Sequence, residues 1–228
     1  MKIIELQKKI GTFHLNVNEL SIEEKKINGV IGSNGSGKST LVKLIAGLLK
    51  PDNGSIDYGV FNMRDITITA QRPYMLHDSV LNNLTYPLKI RNQKVSNEVI
   101  SEWLNKCGLL GKEQQFAPSL SSGERQKLSF ARALIFKPKV VIIDETMANL
   151  DPDSLAIFER TILDIQKTDP ITWIIVSHQP GQIFNLCDCI HFMENGGVLC
   201  SGSPHDILLN KKNPTIAKYM SSYMIKNE

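Results

Sequence analysis

The stretch GSNGSGKST, Gly32 to Thr40, constrains this chain more than any other. Gly32, Gly35, Gly37, Lys38 and Ser39 satisfy G-x-x-x-x-G-K-[ST]. In that spacing backbone N–H groups wrap the phosphates of a nucleotide, Lys38 reaches the β- and γ-phosphates, and the Ser39 hydroxyl binds Mg²⁺. Apolar Val30 and Ile31 precede the loop. Leu41, Val42, Leu44, Ile45, Leu48 and Leu49 follow it at helical spacing, up to Pro51, Asp52, Asn53 and Gly54. Strand, glycine loop and helix in that order point to an α/β fold. By average residue usage the pattern arises by chance in on the order of one chain of this length in a hundred, so a turn that merely reverses the chain is the poorer reading.

Two β-branched runs, Val140 to Ile143 and Ile171 to Val176, suit buried parallel strands. The first continues into Asp144 and Glu145. A strand would deliver both carboxylates to its carboxyl end, where α/β sheets bind ligands. There Asp144 can hold Mg²⁺ through a water and Glu145 can polarise an attacking water. Alone, such an acidic pair is as often a helix cap or a turn. With the glycine loop it predicts a nucleotide hydrolysis site.

The rest of the chain fits around that core. Before Val30, short apolar runs alternate with polar turns and predict antiparallel strands, and Gly196-Gly197 predicts a hairpin. From about Pro73 to Ser119 the pattern becomes helical, with Val99, Ile100, Trp103, Leu104 and Cys107 in register up to Gly108. Asp151-Pro152 opens a helix through about Lys167. In LSSGERQKLSFARAL, Leu120 to Leu134, Ser121 and Glu124 have capping-box spacing, and Leu128, Ala131, Leu134 and Ile135 mark a helix closed by Pro138. A capped helix start also presents free N–H groups and the positive dipole end, which suits an anion.

In order and spacing, these motifs resemble the ATP-binding cassette family, the nucleotide-binding subunits of ABC transporters, over nearly the whole chain. The resemblance implies an α/β fold with a P-loop NTPase core and mostly parallel sheet, an antiparallel β subdomain and an inserted α-helical lobe. It implies one domain over residues 1–228, with 1–72 and 136–228 as the core and 73–135 as the helical subdomain. Gly32 to Thr40 is similar to the Walker A loop, so Ser33, Asn34, Gly35, Ser36, Gly37, Lys38, Ser39 and Thr40 would contact ATP. Val140 to Glu145 is similar to Walker B, with Glu145 as the catalytic glutamate. Gln71 falls at the Q-loop glutamine, which senses Mg²⁺ and the γ-phosphate, and His178 at the switch histidine. Ser39, Gln71 and Asp144 would then be the Mg²⁺ set. Leu120 to Glu124 resembles the signature LSGGQ and Leu150-Asp151 the D-loop. In this family two subunits pack head to tail, so Ser121, Gly123 and Asp151 would serve the ATP held by a second copy.

Some positions depart from the pattern. Ser122 replaces the first signature glycine and Glu124 the usual glutamine. Thr146 stands where proline usually follows the glutamate, Ala148 where the D-loop often has serine, and Gln179 where an acid often follows the histidine. Ile10 falls at the adenine-stacking aromatic, with Phe13 nearby, and Phe13 reads equally as core.

Three functions stay open on these residues: the ATPase subunit of a membrane transporter, a soluble ABC ATPase of DNA repair or ribosomes, and a regulatory subunit that binds without hydrolysing. The second usually needs two cassettes or a long coiled-coil insertion, and the retained Glu145 and His178 weigh against the third. For the first, the resemblance implies a prokaryotic importer with membrane-spanning permease subunits, an extracytoplasmic substrate-binding protein and a place at the cytoplasmic face of the membrane. IGTFHLNV and QRPYMLHDSVLNNLTYPLK resemble the cassettes of tungstate and molybdate importers. Tyr74, Met75, Leu76 and Leu81 stand where family members receive a coupling helix.

Composition narrows the field. A net charge of +3 from 26 basic and 23 acidic side chains is too balanced for a nucleic-acid partner or a polybasic membrane surface. No run approaches the roughly 18–20 apolar residues that span a bilayer, and MKIIELQKKI breaks its apolar run too early for a secretory signal. Any membrane role is therefore expected to be peripheral. Cys107, Cys187, Cys189 and Cys200 match neither a C-x2-C zinc pair nor a disulfide scaffold and read as idle thiols. His14, His77, His191 and His205 read as surface or packed, and Trp103 and Trp173 as core.

Overall fold

The computed structural model describes residues 1–69, 73–147, 150–210 and 212–224. Its first elements are β1 (Lys2–Ile10), β2 (Phe13–Ser21), β3 (Ile27–Gly32), α1 (Lys38–Ile45), β4 (Asn53–Asp57) and β5 (Ile66–Thr69). Three helices follow, α2 (Val80–Ile90), α3 (Asn97–Lys106) and α4 (Ser122–Leu134). The chain then runs through β6 (Val140–Asp144), α5 (Pro152–Thr168), β7 (Thr172–Val176), α6 (Pro180–Leu186), β8 (Cys189–Glu194), β9 (Gly197–Gly202), α7 (Pro204–Leu208) and α8 (Pro214–Met224).

Among the described residues the strands form an antiparallel sheet, β2-β1-β4, and a larger sheet, β5-β6-β7-β3-β8-β9. In the larger sheet β5, β6, β7, β3 and β8 run parallel, and only β9 turns back. The predicted α/β class, mostly parallel sheet, antiparallel β region and separate group of helices are all present. The apolar runs are continuous because each face of the sheet has its own core. Val30, Ile142, Ile174 and Val176 pack with α1 and the antiparallel sheet, while Ile31, Val141, Ile143 and Ile175 pack with α5, α6 and α8.

A third cluster, from Met75 to Ile135, gathers α2, α3 and α4. Helix α4 belongs to two cores at once. Leu128 and Ala131 face the helical cluster, while Phe130 and Leu134 face the main core. Phe130 stacks on Phe158 of α5 with ring centroids 4.0 Å apart. Trp103 is only partly buried, between the two clusters, whereas Trp173 is fully buried.

One expectation fails locally. Helix α1 stops at Ile45, short of Leu48 and Leu49. Gly47 adopts φ +68°, the Gly47 N–H bonds the Leu44 carbonyl, and the Leu48 N–H bonds the Lys43 carbonyl. That bond pair is a Schellman stop, and a glycine at C′ overrides the apolar spacing beyond it. Leu48 is accordingly 62% exposed.

Because Phe158 is wholly buried and is the ring that fastens α4 to the core, Phe158→Ala is expected to lose about 3–5 kcal/mol of stability in denaturant unfolding. A loss below about 1 kcal/mol would mean that α4 is held by something else.

Candidate active site

The parallel strands β3, β6 and β7 end along one edge of the sheet, and the chemistry collects there. Beyond β3 the chain winds through the glycine loop to Gly37, which caps α1 with φ +104° and no side-chain bond. The first N–H groups of α1 therefore have no side-chain acceptor from the cap. A Cβ on Gly37 would stand 2.9 Å from Cζ of Phe13 and 3.1 Å from Cδ1 of Leu15, so the loop lies directly on β2. Gly35, by contrast, faces open space.

Lys38 is 4% exposed, and its Nζ donates to the Gly32 and Ser33 carbonyls, each at 2.9 Å. Burial lowers its pKa, while Glu145 and Asp144 pull it back up. Two of the three ammonium donors are thus committed to the loop, leaving one for an incoming anion. Ser39 donates from Oγ to Oδ1 of Asp144 at 2.9 Å, joining residues 105 apart in sequence. Burial raises the Asp144 pKa, the Ser39 bond lowers it, and the neighbouring Glu145 raises it again.

Glu145 takes a left-handed turn, φ +51°, and its N–H bonds the Val176 carbonyl at 3.1 Å. A glutamate at positive φ is uncommon and holds only where its surroundings enforce it. Here the turn brings Glu145 into a cleft of about 490 Å³ with Phe13, Asn34, Gly35, Gly37, Lys38, Ser39 and Thr40. Phe13 borders that cleft while packing partly against the core, whereas Ile10 is 46% exposed and does not line it. Ser33 contributes its carbonyl to Lys38, and Ser36 is buried at 2% exposure, outside the lining.

The other candidates stand apart. His178 follows β7, half-buried and off the cleft lining. Ser121 caps α4 in a complete capping box with Glu124, whose carboxyl pKa is pushed down to about 2 by Lys112 and the Ser121 N–H. Ser121 and Ser122 are exposed, and no signature residue lines the cleft of its own chain. Asp151 caps α5, and its Oδ2 would lie 3.3 Å from a Cβ on Gly123, so the D-loop carboxylate and the signature glycine are neighbours. Gln71 and Ala148 fall outside the described residues.

Comparison with known proteins places the chain in a family. The family profile described as ABC transporter matches residues 15–148. The chain is 35% identical over 194 residues to the tungstate uptake system ATP-binding protein TupC of Peptoclostridium acidaminophilum, covering 82% of this chain and 91% of that one. It is 30% identical over 223 residues to the methionine import ATP-binding protein MetN 4 of Oceanobacillus iheyensis, covering 89% of this chain but only 63% of the relative. Among solved structures, cbiO1 from Clostridium perfringens, part of the ABC transporter complex cbiONQ, superposes with a TM-score of 0.75 at 27% identity over 92% of this chain and 91% of that one. No helix among the described residues is long and apolar enough to cross a membrane.

One element of the site escaped the sequence reading, which noted Thr146 only as a departure. The Thr146 and Thr69 hydroxyls, 0% and 2% exposed, bond each other at 2.9 Å. They tie the end of β5 to the residue after Glu145. Thr146→Val would leave the Thr69 hydroxyl without its best partner, at an expected cost of about 1–3 kcal/mol. Adding Thr69→Val should recover most of that loss, because both polar groups then leave together. A double-mutant cycle by urea unfolding reads this directly; strictly additive losses would show that the hydroxyls do not cooperate.

Proposed function

The chain belongs to the ABC transporter family, and from that premise we propose that it is the ATP-hydrolysing subunit of an importer for an oxyanion such as tungstate or molybdate. Similarity to importer ATP-binding proteins favours the transporter reading among the three left open by the sequence. Similarity to a tungstate uptake protein over nearly that protein's full length favours the oxyanion over methionine.

The observation that carries the proposal is the Ser39–Asp144 bond beside Lys38 and Glu145. In the proposed reaction ATP and water give ADP and phosphate. Lys38 and the loop N–H groups face the phosphoryl oxygens, where fixed donors stabilise charge that develops during transfer. The carboxylate of Glu145 accepts a proton from the attacking water. His178 contacts the γ-phosphate, and Gln71 links the site to the helices. Phe13, which borders the cleft, would lie against the base.

A hydroxyl and a carboxylate 2.9 Å apart form an oxygen donor pair of the kind Mg²⁺ prefers. When bound there, Mg²⁺ would neutralise charge on the β- and γ-phosphates. Ser39 and Asp144 would hold it, with Gln71 as a third ligand.

Ser121 and Gly123 are read as serving a second copy, since the signature end of α4 does not line its own chain's cleft. Asp151, beside Gly123, would sit at the same junction. Residues 73–135 act in this proposal as the lobe that contacts the permease subunits, with 1–72 and 136–228 as the core. The separate cluster from Met75 to Ile135 supports that division. The exposed Tyr74 beside buried Met75 suits a docking edge better than a core segment. A substrate-binding protein would act through the permease, and the subunit would lie on the cytoplasmic face of the membrane.

Glu145→Gln tests the core of this reading. Turnover is expected to fall about 100-fold or more, while ATP binding persists and Mg-ATP converts the variant to a dimer in sizing chromatography. A variant that stays monomeric and hydrolyses at the wild-type rate would refute both the glutamate's role and the ATP-bridged pair.

A further inference from the structure

Tyr219 of α8 is 8% exposed. Its ring meets Phe192 of β8 edge-on at 5.2 Å and tilts against Tyr223 at 5.0 Å. From that seat its hydroxyl donates to the main-chain carbonyl of His178 at 3.1 Å. Burial raises the hydroxyl's pKa, Tyr223 and Glu145 act in the same sense, and the Gly32 backbone acts against them. The group is therefore protonated at neutral pH and available as a donor. The same helix borders the phosphate loop, because Ser33 shares a cleft with Thr215, Lys218, Tyr219 and Ser222.

Packing alone does not require the oxygen. Phenylalanine would keep both ring contacts, and a hydroxyl taken out of water is costly unless it is bonded. Its partner here is the peptide joining His178 to Gln179, a planar unit whose orientation sets ψ of His178. The turn is also held from inside: Ser177 Oγ accepts the Gln179 N–H at 3.0 Å and donates to Gln182 Oε1 at 3.0 Å. Tyr219 adds a tether from another part of the chain, 41 residues away.

We propose that Tyr219 is a positioning residue for ATP hydrolysis, its hydroxyl holding the His178 peptide so that the C-terminal helix α8 sets the aim of the imidazole at the γ-phosphate. This rests on the reading of His178 as the γ-phosphate contact. The loss of one neutral hydrogen bond predicts a fall in kcat of about three- to tenfold in Tyr219→Phe, with KM and the calorimetric Kd for ATP within about twofold of wild type.

The test uses the full chain with Mg-ATP and compares wild type, Tyr219→Phe, His178→Ala and the double variant, with thermal melts alongside. In the proposal the double variant is no slower than His178→Ala alone, since the tyrosine acts only through the histidine. An inactive His178→Ala with wild-type kcat in Tyr219→Phe would overturn the tether and leave the histidine's role standing. Wild-type turnover in His178→Ala would overturn the histidine reading and the tether together. A Tyr219→Phe defect that raises KM and lowers the melting temperature as much as it lowers kcat would make the residue structural and also overturn the proposal.

Discussion

A buried ammonium governs the architecture of the site. Lys38 is almost wholly withdrawn from water, and its hydrogen bonds go to two main-chain carbonyls rather than to a carboxylate. Desolvating a charge is expensive unless surrounding dipoles replace the lost water. The glycine loop does this by curling its own carbonyls around the charge, which requires Gly37 to take a backbone conformation other residues resist and to pass within side-chain contact of Phe13 and Leu15. The antiparallel sheet is therefore part of the candidate site, because β2 is the wall against which the loop is pressed. Asp144 and Glu145 complete the field: both pull the lysine back toward its charged form without bonding to it.

Helix α4 joins the main core to the helical cluster. Its side chains are divided between two hydrophobic clusters, and the Phe130–Phe158 stack is the seam. Packed side chains shift between discrete arrangements rather than deforming continuously. One helix therefore carries the exposed Ser121 end while anchored in both clusters. The Glu124 carboxylate is committed to Lys112 and to the capping box. Glutamate rather than glutamine at this position adds a charged bond to Lys112 beside the capping box of the helix start that carries Ser121 and Gly123.

What the sequence made legible was local chemistry. The glycine loop, the VVIIDE strand, the capping box of α4 and the Asp151-Pro152 helix start each place their defining residues within a few positions of one another. The structure carries all of them where spacing and turn chemistry put them. The resemblance brought Ser39 and Asp144 together across 105 residues as one Mg²⁺ set, but two other bonds between distant segments were illegible: Thr69 to Thr146 over 77 residues and Tyr219 to His178 over 41. No periodicity encodes such pairs, since each depends on which strand ends the topology sets side by side. Leu48 shows the opposite error, where apolar spacing argued for helix and the left-handed Gly47 ended it.

The family pattern has a proline after the glutamate, and its replacement by Thr146 has a consequence read from the geometry. Proline at that point would fix φ and remove a donor; threonine instead supplies a hydroxyl that reaches across to β5. β5 and β6 already pair in register from Ile66–Val140 to Thr69–Ile143, so the hydroxyl bond extends their coupling just past the last ladder position. The end of β5 is thus joined to the turn carrying Glu145 through a buried bond rather than through solvent, and low local polarity strengthens such a bond. In this chain a pair of buried threonines fastens the end of β5 to the turn that carries the glutamate proposed to take the proton.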